Sequence, residues 1–243
     1  MFAYFRFNLP QAVTEQLIER LEKLPVSILT NEALTLLEDF QVKNETVKGV
    51  YVVYQEGIAV YAGKADGIAE RLSEHLWKLR GRHAIDLTTI GFKALLLDEA
   101  WSTSANEGLL IDRFKDRGEC KWNGTGFGPK DPGKERDTTK PSWFNNAYPV
   151  RDDWPVENIP DQSEVGDILR MLKDQLPFLL RYEKLGKAAS TPVELSGVPR
   201  NARMILVKCA QALGANWQLT LLKFGFILYP ELKEFKYGER LHP

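Results

Sequence analysis

The sequence predicts an α/β (α+β) chain in which a small central antiparallel sheet is flanked by helices and continued by a mostly helical C-terminal region. Three observations carry that expectation. Two β-branched and aromatic runs, residues 49–54 and 58–62, are separated only by Gln55-Glu56-Gly57. Segments with leucines at helical spacing lie before and after them, and beyond Pro160 the apolar pattern turns helical. The expected organisation is an N-terminal helical extension over residues 1–44, a central domain over 45–158 and a mostly helical region over 159–243.

The first element is an amphipathic helix over residues 11–24, with Val13, Leu17, Leu21 and Leu24 on one side and Pro25 as its stop. Residues 49–54 and 58–62 then read as a hairpin. Side chains alternate faces along a strand, so Tyr51 and Tyr61 can share a face when the register allows it. Gly63 ends the second strand and Lys64 follows it. A helix over residues 68–80 places Arg71 and His75 four apart on one face, while Leu72, Leu76 and Leu79 mark an apolar stripe. Residues 92–98 read as a third, largely buried strand, and residues 104–114 as a helix with Glu107 in its first turns. Between Gly118 and Pro160 the chain is rich in glycine, proline and polar residues, punctuated by aromatics such as Trp122, Phe127 and Trp143. Residues 164–184 are helical in pattern, with Pro177 as a kink or stop. Residues 200–213 and 217–229 follow, the second apolar enough for either helix or strand.

Composition sets the class without naming the task. At 243 residues and 44% hydrophobic, the chain can bury a sizeable core. Its net charge is −1, but the cations are unevenly placed. Lys78, Arg80, Arg82 and His83 follow the Arg71 helix, and Lys121, Lys130, Lys134, Arg136 and Lys140 fall in the polar stretch after it. Two distant cysteines, Cys120 and Cys209, supply neither a metal cluster nor a disulfide framework. No run approaches the roughly 18 apolar residues of a membrane helix, and the first residues do not resemble a signal peptide. The expectation is a cytoplasmic protein with no membrane partner.

The order Tyr51, Tyr61, Arg71, His75, Glu107, Asn123 suits phosphodiester cleavage: groups to deprotonate water, a cation for the phosphate and a carboxylate for a metal ion. Each residue also has a structural reading. Hairpin tyrosines usually pack, a lone histidine can be a solvated surface group, and a first-turn glutamate favours the helix dipole. The set, rather than any member, points to chemistry.

On Gly49-Val50-Tyr51, Tyr61-Ala62-Gly63 and the ordered Arg71, His75, Glu107 and Asn123, the chain resembles the GIY-YIG nuclease superfamily. The stretch from Trp122-Asn123 through Gly126-Phe127-Gly128 to Asp131-Pro132-Gly133-Lys134, with Pro141-Ser142-Trp143 after it, is similar to the type II restriction endonuclease branch. The resemblance spans roughly residues 45 to 155. One departure is the segment between Glu107 and Asn123, a few residues longer than the family pattern.

The resemblance implies a sequence-specific double-stranded DNA endonuclease using one divalent metal ion per site, Mg²⁺ with Mn²⁺ as a substitute. Tyr51 assisted by His75 would activate water, with Lys64 as an alternative base, and Arg71 would hold the phosphate. Glu107 would bind the metal, Tyr61 would orient phosphate or water, and Asn123 would hold the carboxylate or a metal-bound water. Lys78, Arg80, Arg82, Lys121, Lys130, Lys134, Arg136 and Lys140 would contact DNA, and a palindromic target would suit a homodimer. Two other readings remain: a structure-specific repair or mobile-element nuclease of the same superfamily, and a catalytically silent DNA-binding or assembly module.

Overall fold

The structure, a computed structural model, describes residue 4 and residues 8–98, 107–127, 140–232, 234 and 236–243. The chain divides into two compact units, one of Met1–Trp77 and Asp86–Gly128, the other of Lys78–Ile85 and Pro129–Pro243. Both are mixed α/β.

The first unit opens with α1, Leu9–Lys23, capped by the Asn8 side chain, which accepts from the Gln11 N–H. Its Val13, Leu17, Ile18 and Leu21 are buried, as the heptad-like spacing requires. After the short β1, Ser27–Ile28, Thr30 caps α2, Asn31–Lys43, by accepting from the Ala33 N–H. The strands β2, Gly49–Gln55, and β3, Ile58–Ala65, form the expected hairpin, but β3 does not end at Gly63: Gly63 and Lys64 stay in the ladder opposite Tyr51 and Val50. Its two-residue turn has positive φ at both Glu56 and Gly57, the twist that suits tight antiparallel pairing. Then come α3, Ile68–Arg80, β4, Ile90–Leu96, and α4, Glu107–Lys115.

The sheet order is β1-β4-β2-β3 with antiparallel pairs throughout, so β2 is interior and β3 an edge. Alternation along β2 separates two environments. Val50 and Val52 join the core made by Leu17, Leu21, Leu110 and Phe114 of α1 and α4. Tyr51 looks the other way, toward α3. The N-terminal helical extension packs on this unit, where β1 pairs with β4 and α1 covers one sheet face.

The second unit corrects the expectation of a mostly helical C-terminal region. Beside α6, Val165–Gln175, and α7, Ala202–Leu213, the described residues after 159 carry six strands: β5, Gln162–Glu164, β6, Leu179–Tyr182, β7, Pro192–Glu194, β8, Gln218–Leu222, β9, Gly225–Tyr229, and β10, Glu239–His242. A short α5, Trp143–Ala147, precedes them. The physical reason lies at two places. Pro177 cannot continue α6, and the chain leaves extended as β6. Residues 217–229 alternate buried faces across a hairpin rather than winding into a helix. The four-stranded sheet runs β10-β8-β9-β6, with β6 and β9 parallel. Ile168, Leu169 and Leu172 of α6 and Ile205 and Leu206 of α7 pack with Leu219, Phe226 and Leu228 of that sheet. Residues 140–158, expected in the central domain, cluster with this unit, as does the short segment Lys78–Ile85. No helix among the described residues is long and apolar enough to cross a membrane.

Candidate active site

The hairpin register decides where the two tyrosines stand. Tyr51 pairs with Gly63, and Tyr61 with Val53 two positions along, so both phenols leave the same sheet face. The Tyr51 ring lies across Gly63. A Cβ there would stand 2.7 Å from the phenol oxygen and 2.8 Å from Cζ, which excludes any side chain without displacing the ring. Gly49 answers a similar need on the neighbouring strand, where a Cβ would meet the Leu95 carbonyl at 2.1 Å. The rings of Tyr51 and Tyr61 are 6.1 Å apart and tilted by 31°.

α3 delivers His75 to these phenols. Leu72, Leu76 and Leu79 anchor the helix in the core and His75 is buried with them. Its Nε2 is 2.9 Å from the Tyr51 hydroxyl, and its ring is 5.2 Å from that of Tyr61. Phe127 completes the group, 4.7 Å from the imidazole at a 34° tilt and edge-on to Tyr61 at 5.1 Å, with Trp122 4.8 Å behind it. Arg71 sits one turn before His75, half-exposed and paired with Glu74 at 2.5 Å. An exposed pair of this kind contributes about 0–1 kcal/mol, so it does not hold the guanidinium back from a ligand.

The electrostatics tie these residues together. Burial pushes the Tyr51 phenol far above its ordinary range, Tyr61 adds to the rise and the Arg71 charge opposes it. Burial also raises Tyr61, with the Glu107 carboxylate second, while a hydrogen bond with Tyr51 and the Arg71 charge pull the other way. Arg71 and Glu107 therefore both act on both phenols. Glu107 is the first residue of α4, exposed, and accepts from the Lys64 N–H at 3.4 Å. Among the described residues no group of three or more His, Cys, Asp or Glu could hold a metal ion. A single exposed carboxylate matches an ion such as Mg²⁺ that keeps water and phosphate in its shell.

Asn123 has a different position from the one expected. Its Oδ1 accepts from the Ala62 N–H at 2.9 Å and its Nδ2 donates to the Ala62 carbonyl at 2.8 Å. With the Cys120 and Trp122 amides donating to the Ala59 and Val60 carbonyls, the 120–123 segment pairs the free edge of β3. Both ends of the Asn123 amide are thus engaged by backbone, and it positions Tyr61 and Gly63 on either side. Lys64 pairs with Val50, on the face opposite the phenols.

The expected DNA contacts divide. Lys78 and Arg80 are partly exposed in the last turn of α3, and Lys121 and Lys140 are exposed. Lys130, Lys134 and Arg136 lie outside the described residues. Arg82 corrects the reading of that basic cluster: it is only 6% exposed. Its Nη1 donates to Asn145 Oδ1 and the Tyr148 carbonyl, both at 3.0 Å, and to the Lys223 carbonyl at 3.3 Å. The guanidinium lies 5.4 Å from the Phe144 ring, and burial lowers its pKa to about 10. A surface cation cannot be recognised by charge alone, because a guanidinium's fork of donors equally serves to gather carbonyls inside a fold.

Sequence reasoning missed Phe127, which the Gly126-Phe127-Gly128 composition presents as a turn. The available signal was a large aromatic inside a glycine-rich segment, where turn formation has no use for it. Searches of protein-family models and of curated proteins found no match for the chain.

Proposed function

We propose that the chain is a Mg²⁺-dependent endonuclease of the GIY-YIG superfamily, of the type II restriction kind, which cuts double-stranded DNA at a specific sequence. The observation that carries this reading is the 2.9 Å contact between the Tyr51 hydroxyl and His75 Nε2, in a group that also brings Arg71 and Glu107 to bear on both phenols.

Burial makes a free tyrosinate at position 51 costly, so Tyr51 can take a proton only as it gives one up. As water attacks phosphorus, its proton passes to the Tyr51 oxygen while the phenolic proton passes to His75 Nε2. The imidazole must then present Nε2 as the acceptor and carry its own proton on Nδ1. Arg71 holds the non-bridging phosphate oxygens. Tyr61, beside both relay partners, orients the phosphate or the water. Glu107 would hold the divalent ion, which when bound neutralises charge on the phosphate and the departing oxygen. The placement of Lys64 on the Val50 face favours the Tyr51–His75 relay over Lys64 as base.

The test is digestion of plasmids of known sequence with Mg²⁺, followed by mapping of the cut ends. Discrete fragments, abolished by EDTA, are expected. Tyr51→Phe, His75→Ala, Arg71→Ala and Glu107→Gln should each lower the rate by about 10²–10⁴ with unchanged circular dichroism. Full cleavage by any two of them overturns the assignment. Nicking confined to branched substrates transfers it to a repair-type nuclease, and tight binding without turnover replaces it with a silent DNA-binding module.

A further inference from the structure

We propose that a cleft in the second unit binds a guanine base, an inference that goes beyond the endonuclease reading and does not depend on it. The cleft has a volume of about 450 Å³, and the residues lining it all belong to that unit. Its polar side is a chain of side chains running His83, Asp152, Arg203, Glu239. Arg203, in the first turn of α7, spans two carboxylates, with Nη1 2.7 Å from Asp152 Oδ2 and Nη2 2.5 Å from Glu239 Oε1. His83 Nε2 stands 4.0 Å from the other Asp152 oxygen, Oδ1, too far for a hydrogen bond. Backbone bonds hold these positions. The His83 N–H donates to the Pro149 carbonyl and the Arg203 N–H to the Asp152 carbonyl, both at 2.9 Å.

What the guanidinium leaves over identifies the ligand. A carboxylate has about four lone-pair sites on its two oxygens, and Arg203 takes one oxygen of each acid. Among the described residues, Asp152 Oδ1, Glu239 Oε2 and His83 Nε2 make no hydrogen bond within the protein. A ligand edge with a donor beside an acceptor satisfies Asp152 and His83 together, the carboxylate accepting and the imidazole donating from Nε2. Every nucleobase has such an edge. Two free carboxylate oxygens beside one imidazole donor select the base with two adjacent donors. Guanine presents O6, N1–H and the 2-amino group in that order, which matches His83, Asp152 and Glu239 along the chain of contacts. Tyr237, Pro149 and Leu221 line the rest of the cleft, an aromatic and apolar surface suited to the faces of a heterocycle. A simple ammonium ligand could use the carboxylates but has no use for that surface.

The experiment is isothermal titration calorimetry of the full chain with GMP, IMP and AMP, run without Mg²⁺ so that cleavage plays no part and the endonuclease reading stands or falls separately. GMP should bind saturably. IMP, which lacks only the 2-amino group, and AMP should each bind about tenfold more weakly. His83→Ala, whose side chain is half-exposed, should weaken GMP by about tenfold. Glu239→Ala should remove the preference for GMP over IMP, and Tyr237→Leu should weaken both by about fivefold or more, all with circular dichroism unchanged. A single-stranded oligonucleotide with one guanine, set against the same strand carrying inosine there, identifies the source of the base. Discrimination in the strand as well as in the mononucleotides assigns the cleft to a base in DNA, and discrimination in the mononucleotides alone assigns it to a free nucleotide. No saturable GMP binding, equal affinity for GMP and IMP, or GMP binding unmoved by both His83→Ala and Glu239→Ala overturns the proposal. Tighter binding of free arginine than of GMP also overturns it, in favour of a cationic ligand.

Discussion

The Tyr51 hydroxyl and His75 Nε2 meet at 2.9 Å although they come from a strand and a helix 24 residues apart. In the proposed relay the water proton passes to Tyr51 as the phenolic proton passes to His75, so the two would act as a unit and removing either should cost as much as removing both. The expected outcome is that Tyr51→Phe/His75→Ala cleaves no more slowly than the worse of its single parents. Additive losses in the double-mutant cycle would show that the two residues work separately.

Phe127 packs against the imidazole, 4.7 Å away between ring centroids, while the Tyr51 hydroxyl meets its Nε2. Phe127→Leu keeps an apolar filling but loses the ring contacts to His75 and Tyr61. Cleavage should fall about tenfold, in kcat rather than KM, with a melting temperature close to wild type. Phe127→Ala, in contrast, should cost about 3–5 kcal/mol of stability, as truncation of a fully buried ring generally does. Chemical denaturation of both variants beside single-turnover kinetics separates the two effects.

Asn123 is predicted to matter through β3. Asn123→Ala leaves the Ala62 N–H and carbonyl without their side-chain partners, at about 1–3 kcal/mol for buried groups. Asn123→Asp keeps the acceptor but sets a carboxylate against the Ala62 carbonyl, and should be the worse of the two. Amide hydrogen exchange at Ala62 reads the lost clip directly. Unchanged protection there would refute it.

Arg82 should behave as a structural residue despite its basic surroundings. Arg82→Met leaves three oxygen acceptors, from Asn145, Tyr148 and Lys223, without their donor. The loss should be about 1–3 kcal/mol, read by denaturant titration. Removing a phosphate contact would instead lower the salt slope of DNA binding by about one. For Arg82→Met that slope should not change.

Alkaline pH should loosen the fold. Burial raises the Cys120 and Cys209 thiols from 9.0 to about 12 and the Tyr54 phenol from 10.0 to about 12, and it raises Tyr51 and Tyr61 as well. A raised folded-state pKa leaves stability intact below the unfolded value and removes it as pH climbs toward the folded one. The melting temperature should therefore decline progressively from about pH 9 upward. Cys209→Ala should blunt the decline, and a flat profile would show that these groups are not buried in solution.

Much of the first unit was legible because its signals are local. The hairpin reads from β-branched runs on either side of Gln55-Glu56-Gly57, α3 from its leucine spacing with bounds that match, and Glu107 from its place in the first turn of a helix. The strand expected over 92–98 is displaced to Ile90–Leu96, a shift at the ends that periodicity does not resolve. The second unit was less legible. β6 pairs in parallel with β9 from residues 46 positions away, Leu179 with Gly225, and nothing in either short apolar run names its partner.

Residue types and spacing alone therefore determined which groups could do chemistry and which faces they would share, since alternation and helical pitch are properties of the backbone itself. Only the tertiary structure decided what each group touches. It turned Asn123 from a catalytic candidate into the clip on a sheet edge, Arg82 from a DNA contact into an internal donor, and Phe127 from a turn residue into the support of His75. The reason is that hydrogen-bond partners and ring contacts are chosen by distance in space. That distance depends on how whole elements pack, which no local pattern records.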